Sequence, residues 1–436
     1  MLQTFRNAWK IPDLRKKILF TLFMIIAFRF GSVITMPFLD TNMLNSVMES
    51  ATANGTAIGY LNMLSGSAFS RATLFALGIQ PYINSSIIIQ LLQVAIPALE
   101  RLGKEGETGR KKIAAITRLV TVGLGLIMAI AYYMFLRSSR ITMYNEGFAG
   151  IFSAIVIIVA FTAGTALIMW MGEQINDKGI GNGISIILFA GIVARLPLTG
   201  QGILNQIRLG VDSGSIARVI FAAFFVVLFL AIIWLIVFMN EAERRIPVQY
   251  AKKVVGRKMY GGQSSFMPIK VAMSGVMPVI FASSILSIPS LIQMFVAPKA
   301  GGALESVIRA FSSQGWVYCI LYFLLILMFA YFYMSIQYNP LEMANNLRQN
   351  NGTIPGMRPG RPTADFIGKI LSKITLIGAL YLAVISIFPI IYANIADMSD
   401  LSFGGTSLII MVGVALETVK QMESQMMMRH YKGFLD

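Results

Sequence analysis

The feature that most constrains this chain is a set of apolar runs, each about as long as a helix must be (~20 residues) to cross the hydrocarbon core of a bilayer. The plainest, IARVIFAAFFVVLFLAIIWLIVFMN at 216–240, carries only Arg218, near its start. Hydrocarbon offers no water to backbone N–H and C=O groups, so spanning segments must be helices or a closed barrel. These runs are continuously apolar and do not alternate, which excludes a barrel. Ten spans are predicted, near 18–37, 73–97, 113–136, 149–172, 183–198, 216–240, 273–296, 315–336, 370–393 and 404–424. Only 13% of the 436 residues are charged, about half the share usual in soluble proteins. The expected fold class is therefore an all-α polytopic membrane protein.

The net charge of +16 has a topological explanation. With the N-terminus cytoplasmic, the segments 1–17, 98–112, 173–182, 241–272, 337–369 and the tail, counted with Arg118, Lys373 and Lys420 at helix ends, hold 27 Lys and Arg. The outer side holds eight, and Arg29 lies within the first span. That imbalance predicts both termini on the cytoplasmic side. Residues 1–17 are basic and amphipathic, and no small-residue cleavage site follows the first run, so the segment is expected to be retained.

The parts for chemistry are missing. The one cysteine, Cys319, and the one histidine, His430, leave no disulfide, no zinc cluster and no Ser-His pair. GKEGETGRKK at 103–112 lacks the Gly-Lys-Ser/Thr of a phosphate loop. Glu417 is the main acid placed within a span, too little for a proton relay. No catalytic residue, metal or cofactor is expected.

The spans are not alike. The second contains FALGIQPYINSSIIIQLL at 75–92, where Gly78 and Pro81 interrupt the run and Gln80, Asn84, Ser85, Ser86 and Gln90 bring polar groups to membrane depth. Ile79, Ile83 and Ile87 recur every four residues, an apolar stripe on one helix face. The wall of a gated pore and a buried, polar-packed membrane helix both fit this stretch. The fifth span is short and starts from GIGNG at 179–183, and the seventh carries Pro278, Pro289 and five serines. Broken spans in both halves of a membrane protein point to a path between the halves. The outer segment GYLNMLSGSAFSRA at 59–72 fits either a re-entrant element or an ordinary loop. Two cytoplasmic loops exceed what topology requires. Residues 248–271 mix β-formers with a basic tip, as a protruding hairpin does. The loop at 337–369 carries NPLEMANNL and IPGMRPGRPT, a rigid Pro/Gly-rich presentation of Arg358 and Arg361. Both suit docking of an acidic or nucleic-acid partner.

In order along the chain, FALGIQPYINSSIIIQLL, EGETGRKK (105–112), GEQINDKGIGNGISII (172–187), GVMPVIFASS (275–284), NPLEMANNL (339–347), IPGMRPG (354–360) and FGGTSLII (403–410) resemble the SecY family of bacterial protein-conducting channels. The resemblance covers about residues 10 to 433. It implies ten transmembrane helices in two inverted five-helix halves around a central pore, with 18–204 as the N-terminal half and 205–424 as the C-terminal half. Residues 1–17 and 425–436 would be a cytoplasmic amphipathic segment and a cytoplasmic tail. It places a pore ring on Ile79, Ile83, Ile184, Leu188, Ile280 and Ile410. A lateral gate would use Ile87, Gln90, Asn182, Ser283 and Ser284, the polar members making contacts across it. A plug near 60–70 would include Asn62, Met63, Leu64, Ser65, Gly66 and Phe69. Docking of the ATPase SecA and of the ribosome would fall on Arg257, Lys258, Arg358 and Arg361. The implied partners are SecE, SecG, SecA, the ribosome, unfolded secretory or membrane polypeptides and membrane lipids, with no direct nucleic-acid substrate. The implied setting is the bacterial plasma (inner) membrane. The function expected is passive, gated translocation of polypeptides, with lateral release of signal or transmembrane helices. A secondary transporter of a small solute is the rival reading. It would need a polar midplane site where this chain offers aliphatic side chains.

Overall fold

The computed structural model describes residues 2–40, 42–44, 46–47, 65–144, 146–212, 214, 216–250, 253–255, 258–260, 264–295, 315–396 and 405–432. Long helices dominate. They are α1 (Leu2–Lys10), α2 (Pro12–Gly31), α3 (Gln80–Ala95), α4 (Pro97–Lys104), α5 (Glu107–Ser138), α6 (Gly147–Lys178), α7 (Gly183–Val193), α8 (Leu196–Asp212), α9 (Ile216–Glu241), α10 (Met277–Phe295), α11 (Trp316–Gln337), α12 (Pro340–Gln349), α13 (Arg361–Ala396) and α14 (Gly405–Lys432). Among the described residues six helical stretches are long and apolar enough to cross a membrane, and a seventh is added if α3 and α4, bent by 102°, count as one span. The protein is thus a polytopic helical membrane protein. Helices also lie over the other expected runs, in α2, α10 and α14.

Several boundaries differ from the sequence expectation for identifiable reasons. The second run is not one helix broken by Gly78 and Pro81. Residues 65–79 form turns, Gly78 takes φ +57, and α3 starts only at Gln80 with Pro81 in its first turn. Proline suits that place because its missing N–H would have had no helical partner. The helix ends at Ile96, held extended (φ −109, ψ 111) by Pro97. The fifth run is not short. After a turn at Ala194–Arg195 the apolar stretch goes on through α8, to Asp212, so the division expected at 204–205 falls inside a helix. α14 continues to Lys432, so the expected tail is in large part helical.

The helices pack in two groups. In the first, α5 packs on α3 and α6, and α6 on α2 and α7. In the second, α11 packs on α10 and α13, and α14 on α9 and α13. The groups meet where α7 touches α14 and where α10 touches α5. At the chain's two ends α1 also rests on α14. Ala8, Leu14, Ile18, Ile180, Val419 and Met422 form a small core there, and Lys17 Nζ donates to Gln425 Oε1 at 3.2 Å.

The hairpin expected over 248–271 is present but begins earlier. Strands β1 (Glu243–Tyr250) and β4 (Ser264–Lys270) pair antiparallel from Glu243↔Lys270 to Gln249↔Ser264, and β2 (Lys253–Val255) pairs with β3 (Lys258–Tyr260) at the tip. A further strand, β5 (Gly352–Thr353), joins the free edge of β1 through Gln249↔Thr353 and Tyr250↔Gly352. Ile246 and Ile269 of the hairpin then share a core with Ile354, Ile367, Leu371 and Ile374. The two long loops are therefore one platform on top of α13.

Candidate functional site

The largest apolar cluster draws on both helix groups, and the predicted ring residues lie in it. Ile79 (3% exposed), Ile83 (7%), Leu188 (4%), Ile280 (8%) and Ile410 (2%) are buried members, and Ile184 is a partly buried residue packed against it. They reach the cluster from the start of α3 and from α7, α10 and α14. Ile184 leans toward α6, where its Cγ1 is 3.2 Å from the point a Cβ would occupy at Gly172. Ile192, one turn beyond Leu188 on the same α7 face, is wholly buried in the cluster. It was not singled out from the sequence, although its four-residue spacing from Leu188 is the signal that marks it. A constriction of branched aliphatic side chains offers water and ions no hydrogen bond and closes by dewetting.

The turn segment 65–79 joins this cluster to a second core: Phe75 and Ile79 are buried in the cluster, whereas Phe69, Ala72, Ala76 and Leu77 pack with Met36, Tyr132 and Phe161. It is stitched to the chain after α2 by Met36 N–H to the Ala72 carbonyl (3.1 Å) and Leu74 N–H to the Ile34 carbonyl (2.9 Å). The Tyr132 hydroxyl of α5 donates to the Phe69 carbonyl at 2.6 Å, and the Phe69 ring lies on the Tyr132 ring at 4.3 Å. Ser65 and Phe69 are buried, and Ser65 Oγ accepts from Phe69 N–H at 3.0 Å. Gly66 has φ +65, and a Cβ there would lie 2.9 Å from both Arg29 Nη1 and the Gly191 carbonyl oxygen. Only glycine fits that backbone and that space. The plug positions Asn62, Met63 and Leu64 lie outside the described residues.

The polar groups expected at a gate make the following hydrogen bonds. Gln90 Nε2 donates to Ser86 Oγ one turn away at 3.2 Å, Ser85 Oγ to the Thr117 carbonyl of α5 at 2.8 Å, and Ser283 Oγ to the Ile280 carbonyl at 2.9 Å. Asn182 caps α7, its Oδ1 accepting from the N–H groups of Ile184 (3.2 Å) and Ser185 (3.3 Å). Asparagine at this position satisfies helix-start donors. The glycine that follows it, Gly183, is required because any side chain would strike the Gly172 carbonyl of α6. Tyr82, Ser86 and Gln93 of α3 line a cavity of about 330 Å³ with Arg110 and Thr117 of α5 and Glu173 of α6. The polar face of α3 thus meets α5 and α6. Ile87 is buried in the apolar cluster, and the Ser284 hydroxyl is buried without a hydrogen-bond partner.

On the platform, Arg358 and Arg361 are exposed, and the Arg358 carbonyl accepts from Thr363 Oγ1 at 2.8 Å, which fixes the turn leading into α13. Lys258 begins β3, and Arg257 lies outside the described residues. Arg244, Lys270 and Arg348 are exposed too, so the surface is strongly basic. No group of three His, Cys, Asp or Glu able to hold a metal occurs among the described residues.

Comparison with known proteins gives a consistent answer. A family profile described as SecY matches residues 73–419. The protein translocase subunit SecY of Streptomyces coelicolor is 44% identical over 442 residues, covering all of both chains, and that of Mycobacterium tuberculosis is 42% identical over 452 residues, again covering both in full. Among solved structures, one described as a protein conducting channel aligns with TM-score 0.61 at 17% identity over 94% of this chain and 92% of the other. A second, concerning the plug domain of the SecY protein, aligns with TM-score 0.64 at 18% identity over the same shares.

Proposed function

The chain belongs to the SecY family, and on that premise we propose that it is the non-enzymatic, gated polypeptide channel of a bacterial plasma membrane. The single observation that carries this reading is the convergence of aliphatic side chains from both helix groups into one cluster, which the 65–79 segment joins through Phe75 and Ile79. A carrier site at that depth would need fixed polar or charged groups. Ile79, Ile83, Leu188, Ile280 and Ile410, with Ile184 at the edge, form a gasket that any sequence can slide through because it pairs with none. Residues 60–70, with Asn62, Met63, Leu64, Ser65, Gly66 and Phe69, act as the plug. Ile87, Gln90, Asn182, Ser283 and Ser284 border the exit toward lipid between α3 and α10. Ten spans in two inverted halves put both termini in the cytoplasm.

The basic platform, through Arg257, Lys258, Arg358 and Arg361, receives SecA or the ribosome, and SecE and SecG complete the complex. The tests are direct. A photo-reactive residue at Ile83 or Ile280 is expected to crosslink to a secretory chain stalled in transit. No crosslink, together with saturable uptake of a small solute by the purified protein, would sink the reading.

A further inference from the structure

The backbone of the 65–79 segment is held in conformations it would not take by itself. Ser67 has φ +69 and Ala72 has φ +43, in the left-handed region that residues with a Cβ rarely adopt. Such strain persists only where the surroundings impose it. Beside the backbone bonds to Ile34 and Met36, one tie comes from a helix side chain. The Phe69 carbonyl closes a turn by accepting from Ala72 N–H at 3.0 Å, and Ser65 Oγ accepts from Phe69 N–H, both within the segment. The Tyr132 hydroxyl reaches the same carbonyl, at 2.6 Å, from α5. Tyr132 is wholly buried, and its ring lies 4.3 Å from that of Phe69 and 5.2 Å from that of Phe161 in α6.

The core around that hydroxyl, with Met36, Leu136 and Ile157, is apolar. When the segment leaves, the hydroxyl loses its partner there, and a buried polar group without a partner is costly. The bond therefore belongs to the arrangement with the segment in place and opposes withdrawal. α5 is also one of the helices through which the two groups meet, because it packs on α10. The helix that holds the segment is the helix that feels the other group. We infer that Tyr132 is the latch of the closure. Its hydroxyl positions the Phe69 carbonyl while α5 rests on α10, and displacement of α5 at that seam draws the hydroxyl off the carbonyl and lets the strained segment withdraw. The latch rests on the channel reading above and adds to it a positioning residue that lies outside the aliphatic cluster.

The test uses the purified channel complex in planar bilayers, without substrate. Tyr132→Phe keeps the ring and removes only the hydroxyl, so the core stays filled. Its resting conductance is expected to rise about fivefold, the worth of roughly one net hydrogen bond. Export of precursors with defective signal sequences is expected to rise with it. A residue that only filled space would leave both unchanged in this variant. Tyr133→Phe, the same change one residue on, is the control and is expected to raise neither. Ile410→Ser, which opens the ring itself, is measured beside them. A leak in Ile410→Ser with wild-type conductance in Tyr132→Phe, or an equal rise in Tyr133→Phe, overturns the latch and leaves the channel intact. Wild-type conductance in Ile410→Ser removes the channel reading and the latch with it.

Discussion

Replacing Gly66 by alanine is expected to leave the channel assembled but unable to stay shut. An alanine held at φ +65 costs about 1–2 kcal/mol, the penalty of the left-handed region for a residue with a Cβ. The added methyl must also fit where Arg29 Nη1 and the Gly191 oxygen are 2.9 Å away and the Gly191 Cα is 3.0 Å away. Backbone atoms cannot swing aside, and such overpacking costs about 1–3 kcal/mol. The penalty falls on the state with the segment in place and not on the state with it withdrawn. A middle value of about 3 kcal/mol shifts the balance about 150-fold, at one decade per ~1.4 kcal/mol. A resting open fraction of about 1%, within the range usual for minor states, becomes about 60%. Single-channel conductance of the purified complex in planar bilayers, without substrate, reads this directly. Gly106→Ala is the control, because Gly106 has φ +76 but nothing within 4 Å of its would-be Cβ. A Gly66→Ala protein with wild-type stability and wild-type resting conductance would refute the assignment of this segment as the closure.

Other outcomes follow from the same geometry. Ile410→Ser puts a hydroxyl into a cluster where Ile410 is 2% exposed, and is expected to raise resting ion leak and relax selectivity for signal sequences, read by conductance and by export of signal-defective precursors. Arg358→Glu is expected to reduce SecA-driven transport at least tenfold with assembly unchanged, checked by vesicle import beside native gel mobility. Ile246→Ala removes a core residue shared by both cytoplasmic loops and is expected to destabilise the platform by about 2–5 kcal/mol. Limited proteolysis should then cut near 250 and near 355 together. Asn182→Ala removes the cap of α7 at a cost of about 1 kcal/mol, seen as a small drop in thermal stability.

What the sequence makes legible is decided by local repetition. Apolar runs announce the long helices, and four-residue spacing marks Ile79 with Ile83 and Ile184 with Leu188. The β-formers and basic tip mark the hairpin. What stays hidden depends on neighbours distant in the chain. Pro81 reads as a break until the turns before it show that it opens α3. That Asn182 caps α7 is hidden because nothing local says that a helix begins at the next residue. Nothing local tells that Tyr82, Ser86 and Gln93 line a cavity with α5 and α6. β5 is two residues long and pairs with a strand about a hundred residues away, so no periodicity could reveal it. That Tyr132 reaches the Phe69 carbonyl is a fact of packing and has no sequence signature.

That short strand has a mechanical consequence. Because β5 bonds to β1, and the Ile246–Ile269–Ile354 core fastens the hairpin to α13, the two basic loops cannot move apart. Val271, which follows β4, also bonds to the Ala242 carbonyl at 2.9 Å, and its own carbonyl backs onto Gly378 of α13. The platform is therefore a handle rooted wholly in one helix group. A body that grips it and rests elsewhere on the membrane surface applies torque, and the strain emerges where the two groups meet, at α7 against α14 and at α10 against α5.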